Sequence, residues 1–255
     1  MRLSVIMERI DSVAPFADAE AWDNSGLLVG DPRDEVHRAA VCLDATSSSV
    51  GEAAVRGCDL LVTHHPLIFS PIRRIGRGSV AEDAIRAALV SGVSVLCVHT
   101  NWDLSCEGVN AVLSGLLGLA GCSPLRKTES KFGRVGDLPP LRFDDFLPML
   151  KERWGLSWLS GYGSREKTIR SVAVCGGSGR EFLRDAVEAG ADVFCTADLT
   201  YHDLMEANHA GLCIALADHG EMERLSMKRL SEIIAGDDLS VDVLPSEGPG
   251  KRFHV

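Results

Sequence analysis

Short, nearly unbroken apolar runs alternate along this chain with longer segments whose apolar positions recur at helical spacing. Runs such as Leu60-Leu61-Val62-Thr63 and Val93-Ser94-Val95-Leu96-Cys97-Val98 have the pattern of strands buried on both faces. The spacing predicts strands over 39–44, 59–63 and 93–99, and helices over 47–56, 82–91 and 110–119. The Ser47-Ser48-Ser49 run is expected to cap the first of these helices. From 133 to 140 the pattern breaks at Gly, Asp and Pro-Pro, so the domain connection is expected around 122–140, with a further helix over 141–154. Strands alternating with helices predict an α/β fold.

The pattern then returns in register. Arg38-Ala39-Ala40-Val41-Cys42 through Asp59–Thr63 lines up with Ser171-Val172-Ala173-Val174-Cys175 through Asp192–Thr196. The offset, from Cys42 to Cys175, is 133 residues, and it pairs Gly57 with Gly190, Asp59 with Asp192 and Thr63 with Thr196. His65 aligns with Asp198. A second block, at an offset of 120, pairs His99 with His219 and Asp103 with Glu223. This is the mark of an internal duplication, and it predicts two similar α/β domains: 1–124 with His64, His65, His99 and Asp103, and 125–255 with His219 and Glu223. The C-terminal strand is expected to pack with the first domain.

Metal-ligand chemistry falls at the ends of these strands. His64-His65 follows one run, and His99-x-x-x-Asp103 and His219-x-x-x-Glu223 follow two others. If the chain turns helical there, residues four apart share one face and both can reach one ion. Imidazole with carboxylate suits zinc, iron, manganese or nickel. Four histidines and two carboxylates exceed what one tetrahedral ion needs, which points to two divalent ions. Open α/β sheets place ligands at the carboxyl ends of strands, so the two halves are expected to converge these groups in the cleft between the domains. His202 is a candidate substrate group near the second-half counterpart of His64-His65. His37, His209 and His254 read as surface or structural residues. Gly176-Gly177-Ser178-Gly179 lacks the Lys-Ser/Thr of a phosphate loop and is expected to be a tight strand–helix turn.

Composition narrows the function. The chain has 255 residues, 45% hydrophobic and 24% charged, which is ordinary for a globular enzyme. A formal net charge of -10 argues against a nucleic-acid groove; Arg73, Arg74 and Arg77, with Lys127 and Lys131, read as a solvated face. No apolar run approaches the roughly 18–20 residues of a membrane span, and the start turns acidic at Glu8, too early for a signal peptide. Eight cysteines without a Cys-x-x-Cys pair fit a reduced, cytoplasmic chain.

Thr63-His64-His65-Pro66, His99-Thr100-Asn101-Trp102-Asp103, Trp22-Asp23-Asn24-Ser25-Gly26-Leu27-Leu28-Val29-Gly30, Gly176-Gly177-Ser178-Gly179 and His219-x-x-x-Glu223 together resemble the Nif-three-like dinuclear-metal-centre family, the GTP cyclohydrolase 1 type 2 homologues. The resemblance implies a two-domain α/β protein that forms a homohexamer and holds two metal ions on His64, His65, His99, Asp103, His219 and Glu223. Asp103 and Glu223 are the natural bridging ligands, because a carboxylate can span two cations. The family label does not itself supply an activity. Two cations held close together would activate a bridging water, so the expected function is a metal-dependent hydrolase of a small molecule, with a metal-bridging hydroxide attacking a phosphoester, nucleotide or cyclic amide. The competing class is a non-enzymatic metal-binding, metal-delivery or scaffold protein.

Overall fold

Four segments of the N-terminal half pair into a sheet: Gly26–Val29 (β1), Arg38–Cys42 (β2), Leu60–Thr63 (β3) and Ser94–Cys97 (β4), in the order β1-β4-β3-β2. In this computed structural model, which describes residues 1–126, 131–246 and 248, β2, β3 and β4 run parallel. Cys42 lies opposite Thr63, and Thr63 opposite Cys97, while β1 is antiparallel to β4. Every residue of β3 and β4 is buried, which is why these strands read as unbroken apolar runs. Four helices accompany them: Leu3–Asp11 (α1), Ser47–Val55 (α2), Val80–Ser91 (α3) and Thr100–Leu104 (α4). Ala40, Cys42, Leu61 and Val95 of the sheet pack with Val50 and Ala53 of α2 and Ala84, Ile85 and Ala88 of α3.

The cap of α2 is Thr46, not the serine run. Its hydroxyl accepts from the Ser49 N–H at 3.0 Å while the Ser49 hydroxyl accepts from the Thr46 N–H at 2.8 Å. Only the residue before the helix has the extended backbone a cap requires, here φ -115 and ψ 165. Ser79 plays the same part for α3 and starts it two residues before the predicted Glu82.

The second sheet is built from Ala120–Pro124 (β5), Arg134–Arg142 (β6), Leu159–Tyr162 (β7), Thr168–Ser178 (β8), Val193–Ala197 (β9) and Cys213–Ala217 (β10). Its order is β5-β6-β8-β9-β10-β7. Here β8, β9 and β10 are parallel and β7 is antiparallel on β10, so β7-β10-β9-β8 repeats β1-β4-β3-β2. The helices are Val109–Leu117 (α5), Phe143–Trp154 (α6), Leu183–Glu188 (α7), Tyr201–His209 (α8) and His219–Glu223 (α9). Residues of α7 and α8 pack with Ala173, Cys175, Phe194 and Ile214 of the sheet, while α5 and α6 contact β8 and each other.

Two aligned residues account for the repeat physically. Gly57 and Gly190 leave α2 and α7 with φ of 72 and 71, a left-handed conformation that costs another residue roughly 1–2 kcal/mol. Two positions on, the Asp59 carboxylate accepts from the N–H groups of His37 and Arg38 at 2.6 and 3.2 Å, and Asp192 does the same for Arg170 and Ser171 at 2.8 and 3.0 Å. In each half Gly-x-Asp ends a helix and ties the next strand to the start of its neighbour.

The stretch from 133 to 140 is largely strand. Pro139 and Pro140 sit where the β6–β8 register shifts between Asp137 and Leu141, beyond the last β5 pairing at Asp137. Two missing N–H donors are tolerated there because the ladder is interrupted. Likewise, Gly176 to Ser178 belong to β8 instead of a turn.

After α9 the chain forms Met227–Ala235 (α10) and Ser240–Val243 (β11), and β11 pairs in parallel with β2, Ser240 opposite Arg38 and Val243 opposite Val41. Helix α10 contacts α1 and β2. Arg9 of α1 donates to the Ile234 and Ala235 carbonyls at 3.1 and 3.2 Å, capping the end of α10 with a cation. The compact units are therefore Met1–Trp102 with Met227–Val255, and Asp103–Ser226. The division falls within α4 and after Ser226, not after residue 124, because β5 and β6 are bonded into the second sheet and β11 into the first.

Candidate metal centre

In the first unit, three histidines leave adjacent strand ends. His64 and His65 follow β3, where the chain bends, and His99 lies two residues after β4. Their ring centroids are 5.1 Å (His64–His65), 5.2 Å (His64–His99) and 5.8 Å (His65–His99) apart. One ring nitrogen from each lies within 4.8 Å of the others.

Each ring is held by an acceptor on Nδ1: the Val98 carbonyl for His64 at 3.0 Å, Asp44 Oδ1 for His65 at 2.7 Å, and Asp23 Oδ1 for His99 at 2.8 Å. A carbonyl or carboxylate only accepts, so Nδ1 carries the proton and the lone pair resides on Nε2, the state a metal-binding imidazole needs. The carboxylates are themselves fixed. Ser246 donates to Asp44 Oδ2 at 3.0 Å. Asp23 also accepts from the Ser25 hydroxyl at 2.9 Å and from the Thr100 hydroxyl and N–H at 2.6 and 3.1 Å. Burial works to raise the Asp23 pKa, but the hydrogen bonds from His99 and Thr100 outweigh it and hold the carboxyl well below its usual range.

In the second unit, Asp103 lies in α4 and Glu223 closes α9; both are buried, 7% and 3% exposed. Oxygens of the two carboxylates lie within 4.8 Å of each other, an arrangement in which like charges repel unless a cation or proton joins them. His219 opens α9 as Glu223 closes it, and its Nε2 is 3.0 Å from Glu223 Oε2. Its Nδ1 lies 2.6 Å from Asp198 Oδ2, so the carboxylate–imidazole pairing of the first unit recurs here. Asp198, the counterpart of His65, adopts φ 53. Gly177, the counterpart of Asp44, leaves space that a side chain would take from Glu223. Asn110 ties this end of the sheet to α4, donating to the Asp103 carbonyl at 3.0 Å and accepting from the Gly176 N–H at 2.8 Å. Buried Cys175 stays a thiol: burial first, then the Asp103 and Glu223 charges, push it well above the usual range.

These donors suit borderline divalent ions. Three imidazoles whose ring nitrogens converge, and two buried carboxylates side by side, are both arrangements that a cation relieves. His202 is exposed in the first turn of α8, and His37 and His209 are exposed as well. Arg73, Arg74 and Arg77 are exposed, while Lys127 and His254 lie outside the described residues. Residue pattern alone missed Asp23, Asp44, Asp198 and Asn110. The 133-residue offset contained a signal for two of them, since it sets Asp198 opposite His65 and Asp44 opposite Gly177.

A family described as Duf34/NIF3 (NGG1p interacting factor 3) matches residues 1–249. A Clostridium perfringens protein named GTP cyclohydrolase 1 type 2 homolog is 31% identical over 238 residues, covering 91% of this chain and 90% of that protein. Among solved structures, a Staphylococcus aureus hypothetical protein matches with a TM-score of 0.91 at 24% identity, covering 100% of this chain and 99% of that one. That similarity shows the fold alone. Reduced HcgD from Methanocaldococcus jannaschii matches with a TM-score of 0.85 at 30% identity, covering 96% and 98%.

Proposed function

Because the chain belongs to the Duf34/NIF3 family, we propose that it binds two divalent metal ions per subunit through His64, His65, His99, Asp103, His219 and Glu223, and acts as a metal-dependent hydrolase. What carries the reading is the set of His64, His65 and His99, whose ligand nitrogens lie within 4.8 Å and whose Nδ1 atoms are each engaged by a fixed acceptor. Asp103 and Glu223 would supply the carboxylate ligands, whose charge would help hold both cations. Two divalent ions bound together supply a lowered water pKa and stabilise both attacking and leaving oxygens. A phosphoester, nucleotide or cyclic amide fits that chemistry. The chain's own residues hold the donors in one tautomer and one orientation, and His202 is the candidate substrate group. The GTP in the name of the Clostridium relative is a statement about that protein.

The same reading includes a homohexamer, for which light scattering should give a mass six times that of the subunit. Elemental analysis after supplementation with zinc, iron, manganese or nickel should approach two ions per subunit, and a reproducible value near zero sinks the proposal. Turnover on a panel of phosphoesters, nucleotides and cyclic amides supports the hydrolase. Full metal occupancy with reversible exchange and no turnover supports a metal-delivery protein instead.

A further inference from the structure

Trp22 and Phe69 leave more than half of their surface in water, 60% and 58% exposed. Their rings are 5.9 Å apart and tilted by 58°, so they form an open V instead of a closed stack. Both meet the His99 ring nearly edge-on, at centroid distances of 6.2 and 6.5 Å. The loops that present them are tied together, since Asn24 Nδ2 donates to the Ile68 carbonyl at 2.5 Å. Next to Trp22, Asp23 is anchored by His99, Ser25 and Thr100. The pair is therefore held in place while contributing little buried area to the fold, and a held but exposed aromatic pair marks a binding surface.

Phe69 also lines a cavity of ≈ 710 Å³, together with His65, Leu67, Ile72 and Val80, with Asp44 and Thr46 as polar lining. That volume lies within the range of small-molecule sites, about 300–1,000 Å³. One aromatic thus belongs both to the edge of the imidazole cluster and to a mostly apolar cavity.

We propose that Trp22 and Phe69 form an aromatic subsite that stacks the planar heteroaromatic ring of the substrate, while the reacting group lies toward His65 and His99. This rests on the metal-site reading above for the position of the reacting group, and it narrows the substrate to ring-bearing compounds such as nucleotides. A simple sugar phosphate would reach the ligand cluster and leave both rings wet. Stacking on aromatic side chains suits any base, because every base has a π-face. The subsite accordingly selects for a ring without selecting among bases.

The test titrates the metal-supplemented full chain with AMP, GMP and UMP and with ribose 5-phosphate, which carries the same sugar and phosphate but no base. Each nucleotide should bind roughly tenfold tighter than ribose 5-phosphate, the size of one base–aromatic stack. In the Trp22→Leu/Phe69→Leu double variant the ratio should fall to about one, with metal content unchanged. Equal affinities in the wild type, absence of binding by all four probes, or a nucleotide preference that survives in the double variant overturns the proposal. A double variant that changes oligomeric mass and keeps the wild-type ratio assigns the rings to a subunit contact and also overturns it. Metal content is measured separately. Protein that takes up no metal defeats the metal-site reading, while the nucleotide-to-sugar ratio still decides the aromatic subsite.

Discussion

Gly177 lies against the carboxylate of Glu223: a methyl group added at Gly177 would collide with Glu223 Oε1 and come within 3.1 Å of His219 Nε2. The residue also has φ +64, which costs a side chain roughly 1–2 kcal/mol before any collision. Gly177→Ala should therefore displace Glu223 and lower metal content, in addition to a modest loss in melting temperature. Elemental analysis of the variant beside the wild type checks this. Unchanged occupancy would show that Glu223 can hold a metal from a second position.

The contact between Asp23 and His99 makes a separate prediction. Asp23→Asn keeps the shape but removes the charge that holds the imidazole in its Nδ1–H form. Metal affinity should fall roughly 10–100-fold, the usual effect of losing such a partner. Competition with a chelator measures it. An affinity within twofold of wild type would mean that the Ser25 and Thr100 hydrogen bonds position the loop without help from the charge.

If the proposed metal site is right, the carboxylates of Asp103 and Glu223 should matter more than any single imidazole. Glu223→Gln and Asp103→Asn are expected to lose metal and any hydrolase activity together, with the circular dichroism spectrum retained, because both residues lie in short helices following strand ends. His202→Ala should keep full occupancy and change turnover or substrate affinity. Retention of both ions by Glu223→Gln would show that the Glu223 charge is not needed to hold them.

Acid should act on α8 through Asp203. Its carboxylate accepts from the Thr200 N–H and hydroxyl at 2.7 and 2.6 Å and from Arg180 Nε at 3.2 Å. Burial opposes ionisation, but the Thr200 hydrogen bonds and the Arg180 charge prevail and lower the pKa. A folded pKa below the unfolded one stabilises the fold fully above the unfolded value, about 3.9, and this contribution is lost as the pH falls through the folded pKa. Asp203→Asn should thus cost about 1 kcal/mol at pH 7, the typical worth of a helix cap, and the gap from wild type should close below about pH 4. Urea unfolding at pH 7, 5 and 3 measures the gap; a constant difference would place the effect outside ionisation.

The sequence by itself determined what depends on local order. Leu60–Thr63 and Ser94–Cys97 are apolar on both faces and read as buried parallel strands. Gly57 and Gly190 do the same local job in both halves, as do Asp59 and Asp192, so the duplication shows as a repeated spacing. His99 and His219 fall just after strands for the same reason. Tertiary structure decided what depends on distant partners. Asp23 lies 76 residues from His99, and Asp44 and Asp198 each lie 21 from the histidine they hold. A carboxylate's usefulness at such separations depends on which strand ends become neighbours, and no local periodicity encodes that. The interrupted ladder around Pro139 and Pro140 is likewise a pairing outcome. Backbone hydrogen bonds between strands are made by groups that every residue carries, so the sequence shows which segments can pair, and packing selects which of them do.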